Sequence, residues 1–459
     1  MLLPEPLLGS LESVEGFDRE AFQQVHDSGD QVTSIRINPS KFSASALPFP
    51  NPTPILWTQF GYYLEKRPSF TFDPLFHAGC YYVQEASSMF LEQAISETTD
   101  LSQPLRVLDL CAAPGGKSTH LQSLLSTHSL LVSNEVIKAR AGILKQNIIK
   151  WGSANVVVTN NDPKHFARLQ GFFDVIVVDA PCSGSGLFRR DESAIEEWSP
   201  DAVQLCSGRQ QRILADVLPA LKEGGTLIYS TCSYSQQEDE EIADWLVEEL
   251  GVENVSLNLN GDWGIVETHS PKQQAAGYRF YPDKLRGEGF FLACFRKGRQ
   301  VEKVKYTASK PEKISANEQK ILQHWVSIER LQFVKHNGRI LALPESLIEP
   351  FSILQSALYI QYAGTDIGEI IRDKLIPDHA LALSPLLSPQ LIHTDLNYED
   401  AVRFLQRQDI QPDAPKGWQV VTYKGYSLGW INALGNRINN YYPKELRILK
   451  QQNDLGFQK

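Results

Sequence analysis

Between Leu105 and Tyr234 short apolar runs alternate with helical patterns, and the runs end in chemically active residues: Asp109, Glu135, Asp162, Asp179 and Cys232. We read strands at 105–110, 129–135, 155–161, 172–179 and 225–231. Helices are read over the Leu121, Leu124 and Leu125 period, over 137–150 and over 208–221, the last stopping at Gly224–Gly225. Continuous apolar strands separated by helices define a parallel sheet covered on both faces, an α/β doubly wound core. Such a sheet binds ligands in the crevice beyond the carboxyl ends of its strands. An Asp that ends a strand also serves as a turn or cap residue, and for Asp162 alone that reading stands beside the functional one. Four acids and a thiol at successive strand ends exceed what capping requires.

The first strand leads into Asp109-Leu-Cys-Ala-Ala-Pro-Gly-Gly-Lys-Ser-Thr119. Small residues and two glycines between a strand and a helix let backbone approach a ligand and turn N–H groups toward it. The segment is not a phosphate-binding P-loop, because Cys111, Ala112 and Ala113 stand where the upstream glycine is needed. Glu135 follows Asp109 by 26 residues, a spacing that suits a carboxylate on the hydroxyls of a ribose. An adenosine-containing cofactor is expected. The two other rich strand ends are Asp179-Ala-Pro-Cys-Ser-Gly-Ser-Gly186 and Ser230-Thr-Cys-Ser-Tyr234. Cys182 and Cys232 therefore face each other over the cofactor crevice. Cys80, Cys206 and Cys294 read as inert small apolar residues.

Composition narrows the classes. The six cysteines form no C-x-x-C and have no histidine in zinc spacing, so reduced thiols and no metal are expected. No apolar run is long enough to span a bilayer and the first residues lack a basic signal region, which gives a cytoplasmic expectation and no membrane partner. The net charge of −10 opposes nucleic-acid binding. Residues 301–459 hold 19 Lys+Arg against 17 Asp+Glu, so the excess acid, −12, lies in the first 300 residues.

The segments DLCAAPGGKST, DAPCSGSG and STCSYSQQEDEE, with YYVQEASSM at 81–89 and GYRFYPDKLRGEGFF at 277–291, resemble the signature motifs of the NOL1/NOP2/Sun family of RNA 5-methylcytosine methyltransferases over roughly residues 30–297. Leu428-Gly-Trp430 and Gly435-Asn-Arg-Ile-Asn-Asn-Tyr-Tyr-Pro443 resemble the end of those bacterial members that act on small-subunit ribosomal RNA and finish in a PUA-like module. The resemblance implies a Rossmann-like class I methyltransferase core with an N-terminal RNA-binding unit and C-terminal PUA-like modules. The units expected are 1–99, a methyltransferase domain at 100–297, a linker and intermediate domain at 298–385, and a PUA-like domain at 386–459. The cofactor implied is S-adenosyl-L-methionine, held by Asp109, Cys111, Ala112, Ala113, Pro114, Gly115, Gly116, Lys117, Glu135, Arg140, Asp162 and Asp179. Cys232 is implied as the attacking thiol and Cys182 as the thiol that assists release, with Asp179 and Lys117 completing the catalytic group. Chemistry alone leaves the order of the two thiols open, since DNA cytosine methyltransferases attack with the Pro-Cys thiol. The partner implied is RNA, 16S ribosomal RNA in the small subunit before transfer RNA, acted on by a monomer. A nitrogen-directed methyltransferase and a non-catalytic RNA-binding assembly factor are the competing classes.

Arg36, Lys41, Arg189, Arg190, Arg279 and Arg286 are candidates for RNA phosphate contact. Arg437, Lys444, Arg447 and Lys450 with Tyr441 and Tyr442 suggest a basic aromatic face on the last module. Asp283 replaces a histidine common among relatives.

Overall fold

Five buried parallel strands organise the chain: β1 (Arg106–Asp109), β2 (Leu130–Asn134), β3 (Val156–Thr159), β4 (Phe173–Asp179) and β5 (Leu221–Thr231). The computed structural model describes residues 2–298, 305–327, 329–435 and 437–450. Spatial order is β3-β2-β1-β4-β5, so the order reverses between β1 and β4, and their carboxyl ends open the crevice that such a sheet uses for ligands. Val107, Leu108, Ile176 and Val177 are wholly buried, as strands covered on both faces must be. Helices α1 (Gly116–Leu124), α2 (Lys138–Trp151), α3 (Pro200–Val217) and α4 (Glu240–Leu250) supply the cover. After α4 the chain adds β6 (Glu253–Val255), β7 (Val266–His269), β8 (Ala276–Phe280) and β9 (Phe290–Arg296), with β9 antiparallel against β5.

The sequence reading places α3 eight residues too late. Ser199 caps it by accepting from the Ala202 N–H, and Pro200 follows at the first helical position, where its missing N–H costs nothing. Pro219, two residues beyond the last helical residue, cannot continue an α-helix, so the strand after it starts at Leu221 and not at 225.

The expected units share cores. Strand β10 (Ile360–Ala363), from the stretch read as an intermediate domain, pairs antiparallel with β3 and extends the central sheet to ten strands. It removes an exposed sheet edge. The charged stretch after Phe295 reads as a linker; its residues 299–304 lie outside the described residues, while Tyr306 packs edge-on against Phe172 at 5.5 Å. Helix Leu91–Thr98, assigned to the N-terminal unit, buries Leu91 and Ile95 with Val107 and Leu121 of the central core. The N-terminal four-stranded sheet and the C-terminal module form one apolar cluster, in which Ile35 and Tyr81 meet Phe404, Leu428 and Tyr442. In that module the hairpin read around Lys424–Gly425 is formed by Gly417–Tyr423 and Tyr426–Ala433. Asn436, part of the terminal Gly435–Pro443 pattern, lies outside the described residues.

Arg36 corrects an expectation. It faces no solvent: its guanidinium donates to Gln84 Oε1 (2.9 Å), Ser123 Oγ (3.1 Å), Gly116 O (3.2 Å) and both oxygens of Thr119, and stacks 4.5 Å over Trp151. The N-terminal sheet is thereby bolted to the helix that starts at the glycine loop. Arg36→Met is expected to leave several acceptors unpaired in the interior and to destabilise the chain by about 3 kcal/mol, seen as a lower urea midpoint.

Candidate active site

A cavity of about 350 Å³ opens beyond β1, β4 and β5. Its floor is the glycine loop, with Cys111, Ala112, Ala113, Pro114, Gly116 and Lys117 on the wall; Arg140, Asp179 and Cys232 join them. Secondary hydrogen bonds fix the loop, since Arg140 donates to Ala113 O and Asn147 to Pro114 O, both at 2.8 Å. Gly115 has φ +118° and caps α1, a conformation that needs glycine; its missing side chain leaves room for Leu144 and Asn147. A larger cavity of about 770 Å³ lies at the opposite end of the strands, beside His128 and Asn155, and contains none of the predicted site residues.

The acids divide by depth. Asp109 is fully buried behind the loop; Ser118 donates to its Oδ2 at 2.6 Å, while Oδ1 has no partner among the described residues. Burial, helped by the charge of Asp179, pushes its carboxyl up to about 7. Glu135 ends β2, accepts from the Ile137 N–H at 2.9 Å and stands 3.7 Å from Arg140. Asp162 follows β3 and accepts from the Lys164 N–H at 3.2 Å, so it does cap the turn that starts at Pro163. Glu135 and Asp162 lie outside the cavity wall, past the neighbouring strand ends. A glycine cradle, an unpartnered buried carboxylate oxygen and two further carboxylates along the strand ends fit a ligand carrying an amino acid, a ribose and a base.

The two thiols meet. Cys182 Sγ and Cys232 Sγ are 3.1 Å apart and neither is in a disulfide. Cys232 lines the cavity, whereas Cys182 stands outside that wall. The hydrogen bond with Cys232, then burial, then the field of Glu238 hold the Cys182 thiol well above its ordinary range. Beside Cys232, Lys117 Nζ is 2.8 Å from Asp179 Oδ2, and Ser230 donates to Asp179 Oδ1 at 2.9 Å. Burial opposes the charge of Lys117, but Asp179, Asp109 and Cys232 together keep it protonated above the usual lysine range. The thiol turn is tight: a side chain at Gly186 would meet the carbonyls of Gly289 and Cys232 at 2.5 and 2.7 Å. That contact explains Gly186 and, where a side chain would meet the Gly186 Cα at 2.6 Å, Gly289. Burial pushes the Cys80 thiol up to about 12 and the Cys294 thiol up as well, in keeping with inert roles; Cys206, half-buried on α3, is also raised.

Most of the expected phosphate ligands are internal clamps. Arg279 is buried against Glu240 and Asp239 and donates to Tyr234 O, and Arg189 is buried against Glu288. Lys41 donates to the carbonyls of Ala78 and Lys150. Arg190, exposed on the cavity wall, and Arg286, exposed over the Tyr63 ring, remain available. Of the basic aromatic face, Arg437, Lys444, Arg447, Lys450 and Tyr441 are exposed, but Tyr442 is buried against Phe404 and His379. Asp283 pairs with Lys284 at 3.3 Å, away from the cavity. The sequence reading misses Tyr82, Gln84 and Glu85, which close the cavity from the N-terminal unit, and Glu288 with Phe290 from the start of β9. Their signal lies in the YYVQEASSM and GEGFF segments, where spacing alone marks no individual role.

Fold and site define an S-adenosyl-L-methionine-dependent methyltransferase with a pair of thiols at its substrate end. Residues 98–296 match the family described as 16S rRNA methyltransferase RsmB/F, residues 3–86 the N-terminal domain of 16S rRNA methyltransferase RsmF, and residues 392–448 the methyltransferase RsmF PUA domain. The chain is 31% identical to the ribosomal RNA small subunit methyltransferase F of Aeromonas salmonicida, covering 80% of this chain and 79% of that one. It is 30% identical to the protein of the same name from Shewanella piezotolerans, covering 90% of each. It belongs to the ribosomal RNA small subunit methyltransferase F family. Among solved structures, a methyltransferase homolog from Pyrococcus horikoshii matches with a TM-score of 0.53 and 28% identity, covering 64% of this chain and 100% of that one. NSun6 from Pyrococcus horikoshii shares the fold with a TM-score of 0.53 at 19% identity, covering 65% of this chain and 99% of that one. No helix of the described residues is long and apolar enough to cross a membrane.

Proposed function

We propose that the chain methylates carbon 5 of a cytosine in RNA, with Cys232 as the attacking thiol. The observation that carries this reading is that Cys232, and not Cys182, shares the cavity wall with Lys117, Asp179 and the glycine loop. Residues 111–117 would hold the methionine part of S-adenosyl-L-methionine, Glu135 its ribose and Asp162 its adenine edge, with Asp109 and Arg140 supporting the loop. When bound, that cofactor supplies an electrophilic methyl group.

The chain's own residues do the rest. Carbon 5 of cytosine is a poor nucleophile until a thiolate adds at carbon 6, which breaks the 5,6 double bond and leaves an enamine across carbons 4 and 5, with a proton taken up at N3. Asp179, anchored by Lys117 and Ser230, is placed to hydrogen-bond the base at N3 or N4 and stabilise the protonated adduct. Transfer of the carbon 5 proton to water in the cavity and departure of the Cys232 sulfur as thiolate restore the aromatic ring, with the Cys182 S–H assisting the release by a hydrogen bond to that sulfur. The base must leave its stack to reach the cavity, so a loop or a remodelled helix suits the enzyme.

The relatives' names favour 16S ribosomal RNA of the small subunit as substrate. To this the proposal adds a monomer acting in the cytoplasm on the small ribosomal subunit, with a methyltransferase domain at 100–297 flanked by RNA-binding units. Bisulfite sequencing of total RNA from cells with and without the gene tests this. Loss of one protected cytosine in 16S RNA is expected; loss only in transfer RNA would move the substrate there, and no change in either would sink the reading.

A further inference from the structure

The run Glu238-Asp239-Glu240 carries three consecutive acids, yet the three residues are 0%, 0% and 1% exposed. Glu238 ends the short turn Gln236–Glu238 that follows the Cys232 segment. Its carboxylate gathers four donors. Oε1 accepts from the Ser183 N–H (2.8 Å) and Gln210 Nε2 (3.2 Å), and Oε2 accepts from Ser183 Oγ (2.5 Å) and Ser233 Oγ (2.6 Å). Ser183 is the residue after one thiol and Ser233 the residue after the other. Gln210, from α3, also donates to Pro181 O at 3.1 Å, the residue before Cys182. Tyr229 OH holds the Glu238 carbonyl at 2.6 Å, so the turn is fixed from β5 as well. One buried carboxylate thus ties together two loops that are 50 residues apart in sequence, at the point where their sulfurs come within 3.1 Å.

We propose that Glu238 is a positioning residue that sets the separation of the two active-site thiols and keeps a carboxylate at the foot of the Cys182 loop. The proposal rests on the two-thiol chemistry above. A second charge cannot be placed beside a buried carboxylate without cost, and the groups facing Cys182 are Cys232, Glu238 and Tyr229, with Lys117 and Asp179 lying beyond Cys232 and, on α3, Cys206 and Arg209 lying on the Glu238 side. Burial holds the Glu238 carboxyl above its ordinary range despite its four donors, a cost that the fold meets to keep a carboxylate there. The arrangement separates the roles of the sulfurs: the one on the cavity wall shares that wall with Lys117 and Asp179, and the one outside it lies in the field of Glu238.

The test is Glu238→Gln in the full chain, read in two ways. Iodoacetamide labelling of each cysteine against pH, followed by peptide mass spectrometry, reports the thiols without turnover. The labelling midpoint of Cys182 is expected to move about one pH unit lower. In steady state, kcat per S-adenosyl-L-methionine-binding site counted by calorimetry is expected to fall about tenfold to a hundredfold while KM for S-adenosyl-L-methionine is unchanged, a fall that a smaller folded fraction would not produce. A parental labelling profile with parental kcat would overturn the proposal. Should Glu238→Gln lack a cooperative unfolding transition, Ser183→Ala removes one donor and is read identically: a shift in the same direction supports the proposal and a parental profile overturns it. Because labelling needs no RNA, failure of the proposal is distinct from failure of the proposed reaction, which shows instead as methyl transfer persisting without Cys232.

Discussion

Cys232→Ala is expected to lower methyl transfer by on the order of 10⁴-fold or more, while calorimetric binding of S-adenosyl-L-methionine stays within a few-fold of the parent. The separation of effects follows from the site. Among the described residues the Cys232 side chain has one hydrogen-bond partner, Cys182, so its loss leaves the glycine loop, the Lys117–Asp179 pair and the clamp at Glu238 intact. What is lost is the route that makes carbon 5 reactive, and no other group on the cavity wall replaces a thiol in that role. Cys111 is the other sulfur there, and burial beside Asp109 and Asp179 pushes its thiol far up, which suits a packed loop residue and not a nucleophile. Radiolabelled methyl transfer to RNA reads the outcome. Persisting transfer would point to a thiol-independent enzyme, such as one acting on nitrogen, and absent cofactor binding in the parent would favour a non-catalytic assembly factor.

What the sequence makes legible is the part of the site built by chain-local geometry. Asp109, Asp179 and Cys232 sit where apolar runs stop, and a parallel sheet sends those stops to one rim, so reading the runs is enough to gather them. The glycine loop is legible for the same reason. What stays hidden depends on contacts across the chain. Arg36 finds its partners 48 to 87 residues away, and no local pattern marks an arginine as a bolt instead of a phosphate ligand. Strand β10 comes from a stretch whose own pattern suggests a separate domain, because an edge strand is recruited by an unsatisfied neighbour and not by its own sequence. Net charge misleads about RNA in the same way. Among the described residues up to 298, eight acids are buried, Glu92, Asp109, Glu135, Glu238, Asp239, Glu240, Asp244 and Glu288, against three buried arginines, Arg36, Arg189 and Arg279. Five of the twelve excess negative charges are therefore internal, and the surface that meets RNA is less acidic than the composition says.

Cys182→Ala is expected to give the opposite signature to Cys232→Ala: a covalent protein–RNA species that survives denaturing gel electrophoresis. Addition of the Cys232 sulfur needs only the wall of the cavity, which Cys182 does not form. Release is different, since the carbon 5 proton must leave and the departing sulfur must be received, and the Cys182 thiol stands 3.1 Å from Cys232 Sγ. Burial, the neighbouring sulfur and Glu238 hold a proton on that thiol, so its S–H stays in place as a hydrogen-bond donor to the departing sulfur when the adduct collapses. With alanine in its place the first half of the reaction runs and the second stalls, so the trapped RNA should already carry its methyl group. Nuclease digestion of the gel band with mass spectrometry of the remaining peptide measures both the attachment site and the methyl count. A methylated nucleotide on the Cys232 peptide supports addition and methyl transfer at Cys232 before release through Cys182. An adduct formed by Cys232→Ala and absent from Cys182→Ala would exchange the two thiols, and the position of Glu238 would then have to be understood as guarding the nucleophile.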